Sequence, residues 1–465
     1  MRRAVSLTIA LALLMETIDS TILATALPQI SADIKVPILS LKLALATYLI
    51  ALAAFVPASG WIADRFGAKR VFIAAMLVFM GGSLLCAMQT SLGGLIACRA
   101  LQGMGGAMMV PVGRLIVLKS APKAEMVAAL AYLTVPALIG PAVGPLLGAV
   151  LTKSLGWQSI FLVNIPLGLI AVALALRLVP NIAEEKVPHL DFGGMMLSAS
   201  GLAAFMFGIS AAGGHVVPNS LALALAGGGL VLLLVYFRRV RARDDALLDP
   251  RLFRQRTFMV GVVGGALFRT SGGAAAFLLP LLFQLGFGLS ILMSGALSAC
   301  YAFGGLTMRM LAPRVIDAFG FRVTLLAGGA ISAVLTAAFA LQTALNYALL
   351  IPLLIAAGLM QALVFTAVNG IAFADIEESR MSHATSMSAV SQQVAMSVGI
   401  AVAAFVLQIG GNPAANAPPV LAEFALPFVV VAGLSSTSLL LFARLRRSDG
   451  NVLRYHEHLV RHHWS

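Results

Sequence analysis

The chain has 465 residues, 60% of them hydrophobic and only 11% charged, with a mean hydropathy of +0.98. Soluble domains carry roughly 25% charged residues, so a water-soluble globular fold is excluded and an all-α polytopic membrane protein is expected. The net charge of +13 and pI near 10.3 would elsewhere point to nucleic acid. Here Lys and Arg gather in loops on alternate sides of the hydrophobic runs, the positive-inside pattern, and no nucleic-acid partner is expected.

The first apolar run, from Ala4 to Ile30, carries Glu16 and Asp19 near its centre. It is long enough to cross a bilayer as one helix, since ~20 apolar residues suffice. A charge at that depth costs at least about 2–3 kcal/mol. Helical positions three apart lie about 60° from one another, so the two acids share a face, and lipid cannot be what that face sees. Met1-Arg2-Arg3 before the run resembles a secretory signal. The run is too long for one, carries two acids and lacks a small-residue cleavage site, so a retained first helix with a cytoplasmic N-terminus is expected.

Fourteen candidate spans follow from the apolar runs: 5–27, 39–60, 71–89, 92–118, 126–150, 159–179, 192–212, 219–237, 258–283, 292–313, 322–342, 347–373, 385–408 and 424–443. Ser, Ala and Gly dilute the seventh and eighth, and a twelve-span reading keeps the same orientation. The loops with Arg65, Lys69, Arg70, Lys119, Lys123, Lys186, Arg238 to Arg256, Arg314 and Arg380 all fall on one side, which puts both termini in the cytoplasm. The expected organisation is a six-helix bundle over 1–180 and two inserted helices with a cytoplasmic linker over 181–256. A second six-helix bundle over 257–445 and a basic tail over 446–465 complete it. Cys86, Cys98 and Cys300 fall inside apolar runs and read as packing residues, with neither a disulfide framework nor a metal site. The tail holds His456, His458, His462 and His463 and reads as a disordered anchor.

An internal repeat supports the two-bundle organisation. Asp64-Arg65-Phe66-Gly67-Ala68-Lys69 follows the second span, and Asp317-Ala318-Phe319-Gly320-Phe321-Arg322 follows the tenth. Both read Asp-x-Phe-Gly-x-(Lys or Arg), at the same place in a six-span set. Two halves related by pseudo-two-fold symmetry are expected, with a substrate site between them near the midplane. In each loop Gly allows a tight turn, and the acid can meet a helix N-terminus or a nearby cation. A charged loop of no special role is the plain alternative.

Arg99, Gln102 and Gly106 share one face of the fourth span, and an arginine there wants an acid or backbone carbonyls. Asp19 or Glu16 is the obvious partner, although an arginine near the outer interface could also snorkel. Arg114 lies nearer the cytoplasmic end of the same helix and is a candidate partner for Asp64. In the fifth span Gly140, Gly144 and Gly148 make a flat stripe for close helix contact, while Pro141 and Pro145 each remove an amide donor and favour a bend. Generic Gly-rich packing remains the alternative.

These stretches resemble the major facilitator superfamily. Gly60-Trp61-Ile62-Ala63-Asp64-Arg65-Phe66-Gly67-Ala68-Lys69-Arg70 is similar to its Gly-x-Leu-x-Asp-Arg-x-Gly-Arg-(Lys/Arg) loop, with Ile62 for Leu and Ala68 for Arg. The resemblance implies a cytoplasmic latch built on Asp64, with Arg65, Gly67, Lys69, Arg114, Asp317 and Arg322 in the same gate. Arg99-Ala100-Leu101-Gln102-Gly103 resembles the family's Arg-x-x-Gln-Gly motif, linked to proton transfer in its antiporters. The glycine and proline stretch from Gly140 to Gly148 resembles the exporters' helix-bend motif. Trp157-Gln158, with Phe161, Asn164, Pro166 and Gly168, resembles the Trp-Arg-x-x-Phe-x-x-Asn-x-Pro-x-Gly run of the fourteen-helix drug/proton antiporters, with Gln158 departing from Arg. Asp19-Ser20-Thr21-Ile22-Leu23-Ala24-Thr25-Ala26-Leu27-Pro28 resembles that branch's Asp-x-Thr-Ile-Val-Asn-Val-Ala-Leu-Pro signature, with Ala24 for Asn, and Asp191 with Gly194 also fits.

The second half has its own deep charge. Arg269, midway along the ninth span, favours an anionic substrate group or a salt bridge to Asp19 or Glu16. Gln361, Thr366 and Asn369 on the twelfth span, and Ser388, Gln392 and Gln393 on the thirteenth, are further cavity candidates beside Gln102; interhelical hydrogen bonding is the alternative for each. There is no P-loop, no Ser/His/Asp or zinc pattern and no histidine deep in a span, so no enzyme, metal or bound cofactor is expected.

The expected function is a proton-coupled secondary exporter of small organic compounds, of the multidrug-efflux type. It is monomeric, lies in a bacterial inner membrane and is driven by the proton gradient. Asp19 is the first choice as proton carrier, Glu16 the second, and Arg99 the modulator. The alternatives are an exporter of organic anions or metabolites, a facilitator without coupling, and a non-transporting sensor on the same fold.

Overall fold

The computed structural model describes residues 2–120, 126–181, 191–213, 216–241, 248–377, 380–410 and 418–450. Lys123, Lys186, Arg243, Asp244, Asp245, Glu378 and the histidine-bearing tail lie outside them. Among the described residues every apolar run is helical and no strand occurs. Hydrocarbon offers the backbone no partner, and a helix satisfies its own N–H and C=O groups within one segment.

In chain order the helices are α1 (Arg2–Ile34), α2 (Ile38–Phe66), α3 (Ala68–Ala87), α4 (Leu92–Ser120), α5 (Met126–Leu155), α6 (Ser159–Leu178) and α7 (Phe192–Ala211). They continue as α8 (Asn219–Val240), α9 (Arg256–Gly286), α10 (Ile291–Leu341), α11 (Tyr347–Phe373), α12 (Met381–Gly410) and α13 (Leu421–Phe442). Twelve of these are long and apolar enough to cross a membrane among the described residues, α5 contributing a shorter apolar stretch, Ile139–Leu155. α10 consists of two arms, because Gly320 inside it has φ 76° and ψ 161° and breaks the helical path. The helix ends run past the apolar runs by a few residues, since α1 continues to Ile34 and α2 to Phe66 through polar positions.

The chain divides into two units, Met1–Leu247 with Gly288–Ala299, and Leu248–Phe287 with Cys300–Ser465. In the first, α1 packs along α5, α4 against both α2 and α3, and α6 against α1 and α3. The pair α7–α8 belongs to this unit, with α7 lying on α2. A Cβ at Gly208 or Gly229 would run into the backbone of the facing helix, so both glycines are what allow the pair to close. Asp191 caps α7 by accepting from the Gly194 N–H at 3.1 Å and pairs with Arg239 of α8 at 2.7 Å. At the other end the buried Lys42 Nζ of α2 donates to the Ala212 carbonyl at 3.2 Å, meeting the negative end of α7 with a cation. In the second unit α9 packs against α12 and α13, and α12 against α13.

The repeated loop is one local device used twice. Gly67 has φ 89° and Gly320 φ 76°, in the left-handed region that a side chain disfavours. Two residues later the basic side chain caps a later helix of its own unit. Lys69 Nζ donates to the Leu176 carbonyl of α6 at 2.8 Å, and Arg322 donates to the Ala443 carbonyl, just past α13, at 3.4 Å. The cations therefore satisfy carbonyls that a helix end leaves open.

Replacing Gly67 or Gly320 by Ala is expected to destabilise the protein by about 1–3 kcal/mol each, because the backbone would have to hold a side chain in a glycine conformation. Gly60→Ala, where nothing lies within 4 Å of the added Cβ, is expected to be neutral or slightly stabilising. Thermal unfolding of the three variants in detergent measures both effects.

Candidate functional site

Asp19 is fully buried in α1, and three polar side chains from two other helices hydrogen-bond to it. Its Oδ2 accepts from an Arg99 terminal nitrogen at 2.7 Å, while Oδ1 accepts from Gln102 Nε2 at 2.7 Å and Asn164 Nδ2 at 2.8 Å. Ser83 Oγ accepts from the same two amides at 2.7 and 3.2 Å. Arg99 also donates to Gln102 Oε1 at 2.5 Å and, from Nε, to the Ala44 carbonyl at 3.4 Å. Its guanidinium carbon stands 4.3 Å from the Tyr48 ring centroid and 5.9 Å from that of Phe161. The carboxylate is thus paired by charge on one oxygen and held by two amides on the other.

The local sequence explains how the groups come within reach. Arg99 and Gln102, three apart, lie on one face of α4. A Cβ on Gly82 would meet the Gln102 backbone at 2.8 Å, and one on Gly103 would meet the Tyr48 carbonyl at 2.7 Å. The two glycines therefore let α3 and α2 approach α4 to backbone contact, which a side chain at either position would prevent.

Glu16, one turn before Asp19, is buried and accepts from the Tyr48 hydroxyl at 3.0 Å, and it makes no ion pair among the described residues. On the adjoining face of α1, Thr17 and Thr21 lie against Gly140 and Gly144 of α5, and Ile22 and Thr25 against Gly148. α5 is helical from Met126 to Leu155, through Pro141 and Pro145. What its glycine stripe does here is seat α5 directly on the helix that carries both acids.

At the repeated loop, Asp64 meets Lys119 at 3.5 Å, not Arg114, which is exposed. This corrects the expected pairing, and helix geometry gives the reason. Asp64 sits near the end of α2, level with the end of α4, whereas Arg114 lies five residues back, about 7.5 Å along the axis. Arg65 is exposed, and Lys69 and Arg322 are occupied as helix caps.

In the second unit Arg269 is 2% exposed and donates to Asn369 Oδ1 at 2.5 Å, its guanidinium carbon 5.0 Å from the Phe365 ring centroid. Its hydrogen bond is thus made to an amide of its own unit, and the cation of Asp19 is Arg99. Gln361 accepts from Ser271 at 3.2 Å and Ser332 at 3.4 Å. Gln392 and Gln393 are half-buried on α12, and Gln393 Oε1 has no partner. Thr366 bonds its own helix, at the Ala362 carbonyl.

The Major Facilitator Superfamily family model matches residues 9–399, with a second match over 261–458. The chain belongs to the major facilitator superfamily. A protein of Pectobacterium carotovorum described as "Putative multidrug resistance protein MdtD" is 34% identical over 406 residues, covering 87% of each chain. The protein of that name from Yersinia enterocolitica is 32% identical over 448 residues, 95% of each. Among solved structures, a D-xylose-proton symporter superposes with a TM-score of 0.70 at 14% identity, over 96% of this chain and 98% of that one. An autoinhibited POT-family peptide transporter gives 0.66 at 17% identity, over 96% and 97%. These two show the fold. As a member of the superfamily the chain is an integral membrane transporter of small molecules and not an enzyme.

Tyr48, Ser83, Phe365 and Arg309 received no role from the sequence, and Asn164 appeared only within a motif. Asn164 was the one with a signal, since it is an amide inside an apolar run; a lone Tyr or Ser in a span carries none. Replacing Arg99 by Gln would leave Asp19 buried without its cation and is expected to destabilise by about 3–5 kcal/mol. Adding Asp19→Asn to that variant should recover much of the loss, as thermal unfolding of the single and double variants would show.

Proposed function

We propose that the chain is a proton-coupled exporter of small organic compounds in a bacterial inner membrane, with Asp19 as the coupling acid. The observation that carries this reading is the Asp19 network. Protonating Asp19 would remove the charge that holds Arg99 and turn an acceptor into a donor facing two amides. A proton arriving there would therefore loosen α1 from α4 and α6 at once, which is how proton binding becomes a change of shape. Glu16 is the second carrier. Its one contact, a tyrosine hydroxyl, can donate or accept and so serves either protonation state.

The wider architecture accompanies this reading. Counting the two arms of α10 separately and α5 as a span gives fourteen crossings, two sets of six with α7–α8 between them. An even number fits cytoplasmic termini, with the basic loops on the same side. The repeated Asp-x-Phe-Gly device supports two related halves that expose a midplane site alternately to either side. Energy then comes from the proton gradient, with no bound cofactor, in a monomer. The multidrug description of the relatives favours efflux of organic compounds of varied structure.

In proteoliposomes, Asp19→Asn is expected to abolish accumulation driven by a pH gradient while exchange without a gradient persists. Glu16→Gln should reduce the driven rate without eliminating it. Accumulation by Asp19→Asn equal to that of the unaltered protein would sink the assignment.

A further inference from the structure

The deep charges of the two units are treated differently. Arg99 is matched by a carboxylate, whereas Arg269, equally buried, is not. Among the described residues its one hydrogen bond goes to the neutral Asn369, and its Nε and one terminal nitrogen reach no acceptor. A guanidinium that is 2% exposed, midway along the span Arg256–Gly286, loses its hydration without gaining a counter-charge. The Phe365 ring supplies a weak, diffuse substitute, and Arg309 stands over the same ring at 5.7 Å, so two cations share one aromatic face system. Gln361, Phe365 and Asn369 recur every fourth residue, which puts an amide, a ring and an amide on one stripe of α11 beside Arg269. Ser271, two residues beyond Arg269, donates to the Gln361 end of that stripe.

We propose that Arg269, Asn369 and the Phe365 stripe form a binding site for a carboxylate group, so that the compounds carried include organic anions. The proposal rests on the exporter reading and narrows its substrate class. Arginine suits the task because it stays charged and presents several donors to anionic oxygens. Asn369 holds the side chain in place and leaves the remaining donors free. The anion would supply the counter-charge that no described residue supplies at Arg269.

The test is equilibrium binding to the full chain in detergent, without any gradient. The probes are benzoate, 1-naphthoate and succinate, each beside its uncharged amide, with tetraphenylphosphonium as the cationic control. At least one carboxylate is expected to bind and its amide to bind at least about tenfold more weakly. Arg269→Gln should remove that preference, and Arg269→Lys should keep the preference at lower affinity. The lysine variant, with size-exclusion behaviour as the check on folding, keeps the test decisive if the glutamine variant is unstable. Equal binding of acid and amide, no carboxylate binding at all, or an unchanged preference in Arg269→Gln would each overturn the proposal. Gradient-driven transport of tetraphenylphosphonium alone would leave the exporter reading standing while this one fell. Carboxylate binding that depends on Arg269, with no gradient-driven movement of any probe, would do the reverse.

Discussion

A carboxylate sealed inside an apolar helix persists as an anion only where its charge is met, and the rest of the first unit is arranged around meeting that of Asp19. Arg99 supplies the charge, Gln102 and Asn164 the remaining donors, and Ser83 a common acceptor for both amides. Ser83 of α3 and Tyr48 of α2 meet this network because both helices stand against α4 at backbone contact. Gly82 and Gly103 remove the side chains that would hold them apart. The packing of the bundle and the pairing of its charge are thus one requirement: loosening either undoes the other.

The same logic extends outward. The glycine stripe of α5 lies on the face of α1 adjoining the two acids, so movement of α5 and disturbance of the acids are mechanically linked. At the loops, Lys69 and Arg322 tie the repeated turn to the ends of α6 and α13, which joins distant parts of a unit through one hydrogen bond apiece. The second unit has the corresponding loop device but not the paired deep charge. Arg269 rests on an amide and an aromatic ring, and that contrast is what marks it as a place for something from outside the chain.

Much of this was legible in the sequence. The runs of apolar residues located the helices to within a few positions, and 347–373 coincides with α11. The two acids, Arg99 and Gln102 stood out because a charge or amide in hydrocarbon needs a reason, and the repeated Asp-x-Phe-Gly pattern located both left-handed glycines. The pairing of Asp64 was misjudged, because spacing along α4 says which residues are cationic but not which one is level with the end of α2. Tyr48 and Ser83 were invisible, since a hydroxyl in an apolar run is as often a packing group as a ligand. The choice of partner for Arg269 stayed open for the same reason: candidates on other helices cannot be ranked from one strand of text.

By itself the sequence determined the solvent, the helical state and the deep charges Glu16, Asp19, Arg99 and Arg269, though not the buried Lys42. These follow from composition and from the backbone's need to satisfy itself in hydrocarbon. Only the tertiary structure decided that Asp19 belongs to Arg99 and Glu16 to Tyr48, and that Arg269 is left with donors to spare. Those outcomes turn on distances between helices far apart in sequence, set by where glycine lets two backbones touch.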